Sequence, residues 1–172
     1  HHGSLIGGKW VAAQPTLFEP VRQELATFSG HADSTRFVLF SRDGRRLYSG
    51  GKDKLIKVHD LDSGRVIHEF DQGVGVTCAA LSPDGKALAT GSWGNRICLW
   101  DTATNEQLAK FQRPESSSIQ SLAFSRDGKV LVSGCSLGHV RLWDVDSQEE
   151  LRSLPQHPLA ITDVAVSPDG KL

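Results

Sequence analysis

Short runs of apolar residues recur along the chain, each ended by a cluster of Ser, Pro, Asp and Gly. Val38 and Phe40 alternate before Ser41, Ala79 and Leu81 before Ser82, Leu122 and Phe124 before Ser125, and Val164 and Val166 before Ser167. A period of two predicts a β-strand at each place. The residues between them, Leu39, Ala80, Ala123 and Ala165, are apolar as well. That predicts a first strand buried on both faces. A turn follows each run: Ser41-Arg42-Asp43-Gly44, Ser82-Pro83-Asp84-Gly85, Ser125-Arg126-Asp127-Gly128 and Ser167-Pro168-Asp169-Gly170, spaced 41, 43 and 42 residues apart. Pro or Arg in second place suits φ near −65°, and the final Gly supplies a positive φ.

Three further strands follow in each repeat. The second is Leu47–Gly50, Leu88–Gly91 and Leu131–Gly134. The third is Ile56–Asp60, Ile97–Asp101 and Val140–Asp144, and the fourth is Val66–Phe70, Gln107–Phe111 and Glu150–Leu154. Polarity rises from the first strand to the fourth, as in a sheet running from a buried centre to a solvated rim. Four short strands in about 42 residues, with Trp100-Asp101 and Trp143-Asp144 closing two of the third strands, resemble the WD-repeat β-propeller family.

The resemblance covers nearly the whole chain. It implies an all-β fold: a β-propeller of four-stranded antiparallel blades, with four WD-type repeats. Residues 29–70, 71–111 and 112–154 are expected as blades. Residues 5–28 align without a gap to strands two to four of a degenerate blade, with Pro15 inside its third strand. Residues 155–172 supply that blade's first strand, so it is split between the two ends of a 5–172 domain. Residues 1–4, His-His-Gly-Ser, read as the end of an affinity tag and its cloning scar and stand outside the fold. Family rings usually close with about seven blades, within the range of 4–8. Four blades therefore point to a tight ring, to blades elsewhere, or to a homodimer completing eight blades, which the in-phase 4 × 42 arithmetic favours.

The resemblance also implies a structural relay in the first blade: His31 before its first strand, Ser49 on the second, Asp53 in the next turn, and His59 where the family carries Trp. Such a relay satisfies a buried hydroxyl and imidazole and orients the ring with a carboxylate. Ser, His and Asp also make a hydrolase triad, but no G-x-S-x-G elbow is present. The later blades depart from the pattern. Gln72-Gly73 stands near the Gly-His position of the second and Gly94 replaces its Asp; the third has Leu137 there. Only the first relay is near-complete.

Composition narrows the function. Lys+Arg number 19 and Asp+Glu 20, a net charge of −1, which argues against a nucleic-acid binder and against a polybasic membrane surface. No apolar stretch approaches the ~20 residues of a membrane span. Three cysteines, Cys78, Cys98 and Cys135, make no disulfide framework, so a reducing, cytoplasmic setting is expected. No C-x-x-C pair, phosphate loop or complete EF-hand is present, and neither metal nor cofactor is expected. Asp60-Leu61-Asp62-Ser63-Gly64 and Asp144-Val145-Asp146-Ser147 read as turns.

Two columns are candidates for partner contact. The residue before the turn Asp is Trp10, Lys52, Trp93 and Ser136, and strand one contributes Arg36, Thr77, Gln120 and Thr162. Family members project side chains from these places onto the top face, and Trp, Lys and Arg around a channel mouth suit a peptide. Trp10 has a second reading, as packing in a distorted blade. The expected function is a non-catalytic protein–protein interaction scaffold. A ligand-binding or enzymatic propeller with a site at the axial channel, and a spacer or sensory part of a larger protein, stay open.

Overall fold

A computed structural model describes residues 4–6, 9–11, 27–112 and 117–167. Fourteen strands are present among them. The first two, β1 (Ser4–Ile6) and β2 (Lys9–Val11), pair antiparallel. Three four-stranded antiparallel sheets follow, each a meander in chain order. Blade 1 holds β3 (Thr35–Phe40), β4 (Arg46–Gly51), β5 (Leu55–Asp60) and β6 (Val66–Asp71). Blade 2 holds β7 (Val76–Leu81), β8 (Ala87–Ser92), β9 (Arg96–Asp101) and β10 (Gln107–Gln112). Blade 3 holds β11 (Ile119–Phe124), β12 (Val130–Cys135), β13 (Val140–Asp144) and β14 (Glu150–Ser153).

The Ser-x-Asp-Gly turn works the same way three times. Ser41 Oγ donates to Asp43 Oδ1 at 2.6 Å, and Asp43 Oδ1 accepts from Arg45 N–H at 3.1 Å. Ser41 Oγ in turn accepts from Arg46 N–H at 2.8 Å, while Gly44 N–H, at φ 67°, closes the turn onto the Ser41 carbonyl. Ser82 with Asp84 and Ser125 with Asp127 repeat these bonds. The Asp side chains of the third-to-fourth-strand turns are spent likewise: Asp60 Oδ1 accepts from Ser63 N–H and Oγ–H, and Asp144 Oδ1 accepts from the N–H groups of Asp146 and Ser147.

The second and third strands carry most of the core, most completely in blade 2, where both faces of these strands meet a neighbouring blade. Side chains alternate between the two neighbours. On β8 and β9, Leu88, Cys98 and Trp100 face blade 1 and pack with Tyr48, Ile56, Val58 and Val76. Ala89, Ile97 and Leu99 face blade 3 and pack with Ile119, Leu122, Leu131 and Trp143. An aromatic pair spans each junction. Phe28 meets His59 at 5.3 Å, Phe70 meets Trp100 at 4.5 Å and Phe111 meets Trp143 at 5.6 Å between ring centroids. Such pairs add about 0.5–1.5 kcal/mol beyond the area they bury. Blades need close approach here: a Cβ on Gly91 would lie 2.6 Å from Cys78 Sγ and from Ile119 Cγ2.

One expectation needs correction. The first strand is not buried on both faces in blade 1, where Val38 is 59% and Phe40 65% exposed. The apolar filling between Val38 and Phe40 reads as two buried faces, but among the described residues one face of β3 has no packed blade against it. Within 5–28, where strands two to four of the degenerate blade are expected, Ser4–Ile6 pairs antiparallel with Lys9–Val11. The predicted strands in the rest of 5–28 fall largely outside the described residues. At the other end, residues 157–167 belong to no ladder. They nevertheless lie on blade 3 as a first strand would: Ile161 N–H donates to the Cys135 carbonyl at 3.0 Å, and Ser121 Oγ donates to Asp163 Oδ1 at 2.6 Å.

Candidate functional site

The loops at one end of the blades carry both sets of predicted site residues. In blade 1, His31 precedes β3, Ser49 lies on β4, Asp53 sits in the β4–β5 turn and His59 ends β5. The four form one chain of contacts. His31 Nδ1 lies 2.9 and 3.0 Å from the two Asp53 carboxylate oxygens, His31 Nε2 lies 2.8 Å from Ser49 Oγ, and Ser49 Oγ lies 3.0 Å from His59 Nε2. Proton accounting gives this chain a direction. Asp53 can only accept, so His31 donates from Nδ1 and presents Nε2 as an acceptor. Ser49 Oγ–H fills it, and His59 Nε2–H donates to Ser49 Oγ.

Electrostatics agree with that direction. Burial pushes the His59 pKa down, and positive charge at Lys57 pushes it further. A neutral His59 with its proton on Nε2 does what an indole N–H would do. Burial raises the Asp53 pKa, but hydrogen bonds from His31 and from the Ala32 and Leu55 N–H groups outweigh it, so the net shift is downward. Ser49 is 4% exposed, and its hydroxyl has its proton and a lone pair both engaged. Beside the relay lies a cavity of about 350 Å³ lined by Phe28, Val38, Leu47, His59 and their neighbours.

Blade 2 keeps more of the relay than its sequence indicated. Trp100 Nε1–H donates to Thr90 Oγ1 at 2.8 Å, and Thr90 Oγ1–H donates to Gln72 Oε1 at 2.6 Å. Gln72 stands 41 residues after His31, as Thr90 does after Ser49 and Trp100 after His59. That constant offset was the available signal for the role of Gln72. Blade 3 retains the first step, Trp143 Nε1–H to Ser133 Oγ at 2.8 Å.

The two columns predicted for partner contact are drawn together in part. Lys52 Nζ lies 5.7 Å from the Trp93 ring centroid. Trp93 is 41% exposed and bridges Ser118, whose N–H donates to Ser136 Oγ at 3.0 Å. Lys52, Trp93 and Ser136 thus form one row across three blades. Gly75 lies beneath Trp93: a Cβ there would stand 3.2 Å from the indole. The second column has a structural cause that the sequence reading missed. The register shifts between Thr35 and Phe37, between Val76 and Cys78, and between Ile119 and Ser121. Arg36, Thr77 and Gln120 are therefore the extra residues of three equivalent β-bulges, the device that re-aims a side chain at a sheet end. Arg36, Gln120 and Thr162 are exposed. Thr77 is instead turned into the blade junction, donating to the Ile119 carbonyl. The side chain of Trp10 lies outside the described residues.

The three blades, two of them with Trp on the third strand, match known proteins. The family described as "WD domain, G-beta repeat" matches residues 22–60 and 64–101, and the "Anaphase-promoting complex subunit 4 WD40 domain" family matches residues 110–169. The chain belongs to the WD-repeat family. It is 30% identical over 95 residues to the WD repeat domain-containing protein 83 homolog of Dictyostelium discoideum, covering 55% of this chain and 29% of that protein. It is 28% identical over 95 residues to the Target of rapamycin complex subunit LST8 of Mus musculus, covering 54% and 29%. Among solved structures, the crystal structure of RRP9 WD40 repeats superposes with a TM-score of 0.74 at 27% identity, covering 79% of this chain and 43% of that one. The chain thus spans less than a third of these curated relatives and under half of that structure.

Proposed function

We propose that this WD-repeat chain is a non-catalytic interaction segment that presents the end carrying Lys52, Trp93 and Ser136 to a protein or peptide. One observation carries the reading: Trp93 stays 41% exposed although a large apolar ring gains by burial, and it is held there by Gly75 beneath it and Lys52 beside it. A rigid, half-exposed indole flanked by a cation is the usual make-up of an energetic centre in an interface. The bulge residues Arg36 and Gln120 lie exposed at the same end and extend the surface over adjacent blades. The name of the mouse relative, a complex subunit, points the same way. Buried thiols at Cys98 and Cys135, with the Cys78 thiol pushed up to about 12 by burial, suit a reducing compartment such as the cytoplasm.

Selection of peptides from a random display library against the purified chain tests the reading. Peptides that bind the unaltered chain are expected to bind Trp93→Ala at least about tenfold more weakly, the loss typical of a central interface anchor. They are expected to bind Lys86→Ala, altered at the opposite, Ser-x-Asp-Gly end, with unchanged affinity. Full binding to Trp93→Ala with loss in Lys86→Ala would place the partner on the wrong face.

A further inference from the structure

Blade 2 lacks the carboxylate of its relay, and its donors are left over. Gly94 stands where blade 1 has Asp53. A Cβ at Gly94 would have no atom within 4 Å, so the position opens onto free space. Gln72 is 5% exposed, and its orientation is settled by the chain of donors. Trp100 Nε1 can only donate, so Thr90 Oγ1 accepts from it and gives its own proton to Gln72 Oε1. Gln72 Nε2 therefore occupies the end of the side chain that corresponds to His31 Nδ1, the atom that meets Asp53 in blade 1.

Among the described residues, four buried side-chain polar atoms have no hydrogen-bond partner: Gln72 Nε2, Arg96 Nε, Ser117 Oγ and Ser118 Oγ. All four border the β8–β9 turn. Arg96 follows Gly94 by two residues, as Leu55 follows Asp53, and its Nη1 donates to the Gln72 carbonyl at 3.0 Å, which fixes the guanidinium beside Gln72. Ser117 and Ser118 approach from blade 3, through Asn95 N–H donating to the Ser117 carbonyl at 2.6 Å and the Trp93–Ser118 bridge. Leaving buried donors unmade costs about 1–3 kcal/mol each, more for a charged one. A group that can only accept, carries negative charge and enters from the open side at Gly94 answers Gln72 Nε2 and Arg96 Nε together.

We propose that blade 2 is a carboxylate-accepting subsite, in which an Asp or Glu side chain of the bound peptide takes the place that Asp53 holds in blade 1. The peptide completes the relay in trans. Trp93 precedes Gly94 in the chain and Lys52 lies over its ring, so the acidic residue enters beside the indole. This rests on the reading of this end as the partner-binding face, and it adds the chemistry that face selects.

The test is a titration of the full chain followed by NMR of the Gln72 side-chain amide and the Arg96 Nε–H. The probes are acetyl-Ala-Glu-Ala-amide, the same peptide with Gln for Glu, and sodium acetate. The Glu peptide is expected to shift both signals in a saturable way, with the Gln peptide at least about tenfold weaker, the ratio set by one charge-assisted hydrogen bond. Arg96→Met, which keeps the apolar stem, is expected to remove the Glu-over-Gln preference while the chain stays folded. Equal responses to the Glu and Gln peptides, a preference that survives in Arg96→Met, or no shift at these two groups would each overturn the subsite. Acetate shifting these groups as strongly as the Glu peptide would reduce it to an adventitious ion only and overturn the peptide assignment. These outcomes are separate from the Trp93→Ala result, which reads any peptide whatever its charge.

Discussion

Replacing Trp143 by Ala is expected to lower the unfolding free energy by about 3–5 kcal/mol, the range for removing a buried aromatic. Trp143 is 5% exposed and packs in one cluster with Leu122, Leu131, Leu99 and Phe111, so it ties blade 3 to blade 2. Its loss removes that contact area, leaves a cavity that β-ladders on both sides cannot close, and takes away the donor to Ser133 Oγ. Domains commonly hold only 5–15 kcal/mol in total, so the change is a large share of it. Urea denaturation followed by far-ultraviolet circular dichroism measures it. Trp143→Phe, which keeps a ring against Phe111 and loses only the N–H and some volume, is expected to cost less than half as much. A loss below about 1 kcal/mol for Trp143→Ala would mean that the blade junctions do not carry the fold.

Gly138→Ala is the second large effect. Gly138 has φ +82°, and a Cβ there would run into the His157 carbonyl oxygen and come within 2.8 Å of that of Leu159. The same glycine's carbonyl accepts from His157 N–H at 2.9 Å. Backbone atoms cannot swing aside as a flexible side chain can. The substitution therefore has to displace the segment that carries Ile161 and Asp163 onto blade 3. Backbone strain of roughly 1 kcal/mol and overpacking of about 1–3 kcal/mol add to an expected loss of about 2–4 kcal/mol. Limited proteolysis is expected to cut between residues 155 and 165 faster than in the unaltered chain. Gly94→Ala is the control, since it shares the positive φ, at +85°, but meets open space. It is expected to show the strain alone. Equal losses for the two would show that the contact with His157 is immaterial.

What the sequence made legible was whatever repeats at a constant offset. The Ser-x-Asp-Gly turns name their own hydrogen bonds, and the period of two marks each strand. The Trp-Asp ends of two third strands, Trp100-Asp101 and Trp143-Asp144, point to the family. Gln72 was the instructive miss. An amide is not an imidazole, so it did not read as a relay member, yet it offers Thr90 the same acceptor that His31 offers Ser49. The bulges at Arg36, Thr77 and Gln120 were invisible for another reason: a bulge is a property of two strands in register, and a single strand's pattern does not record it. The exposure of Val38 and Phe40 was likewise unreadable, because an apolar residue states what it would gain by burial and not whether a neighbour is in place. The polar gradient across each blade was readable only in part. The core centres on the second and third strands, joined by Val76, Ile119 and Leu122 of the first strands of blades 2 and 3.

The blade junctions hold the fold, and the relays hold the loops at the end that carries Lys52 and Trp93. Hydrogen exchange of the unaltered chain and of Asp53→Ala, read amide by amide, tests that division most directly. Asp53 accepts from Ala32 N–H at 3.0 Å and from Leu55 N–H at 3.3 Å, besides His31. The substitution is predicted to raise exchange at Ala32, Leu55 and their immediate neighbours while the central amides of β8, β9, β12 and β13 keep their protection. Loss of protection throughout those four strands would contradict the account, because the relay of blade 1 would then be holding up blades that it does not touch.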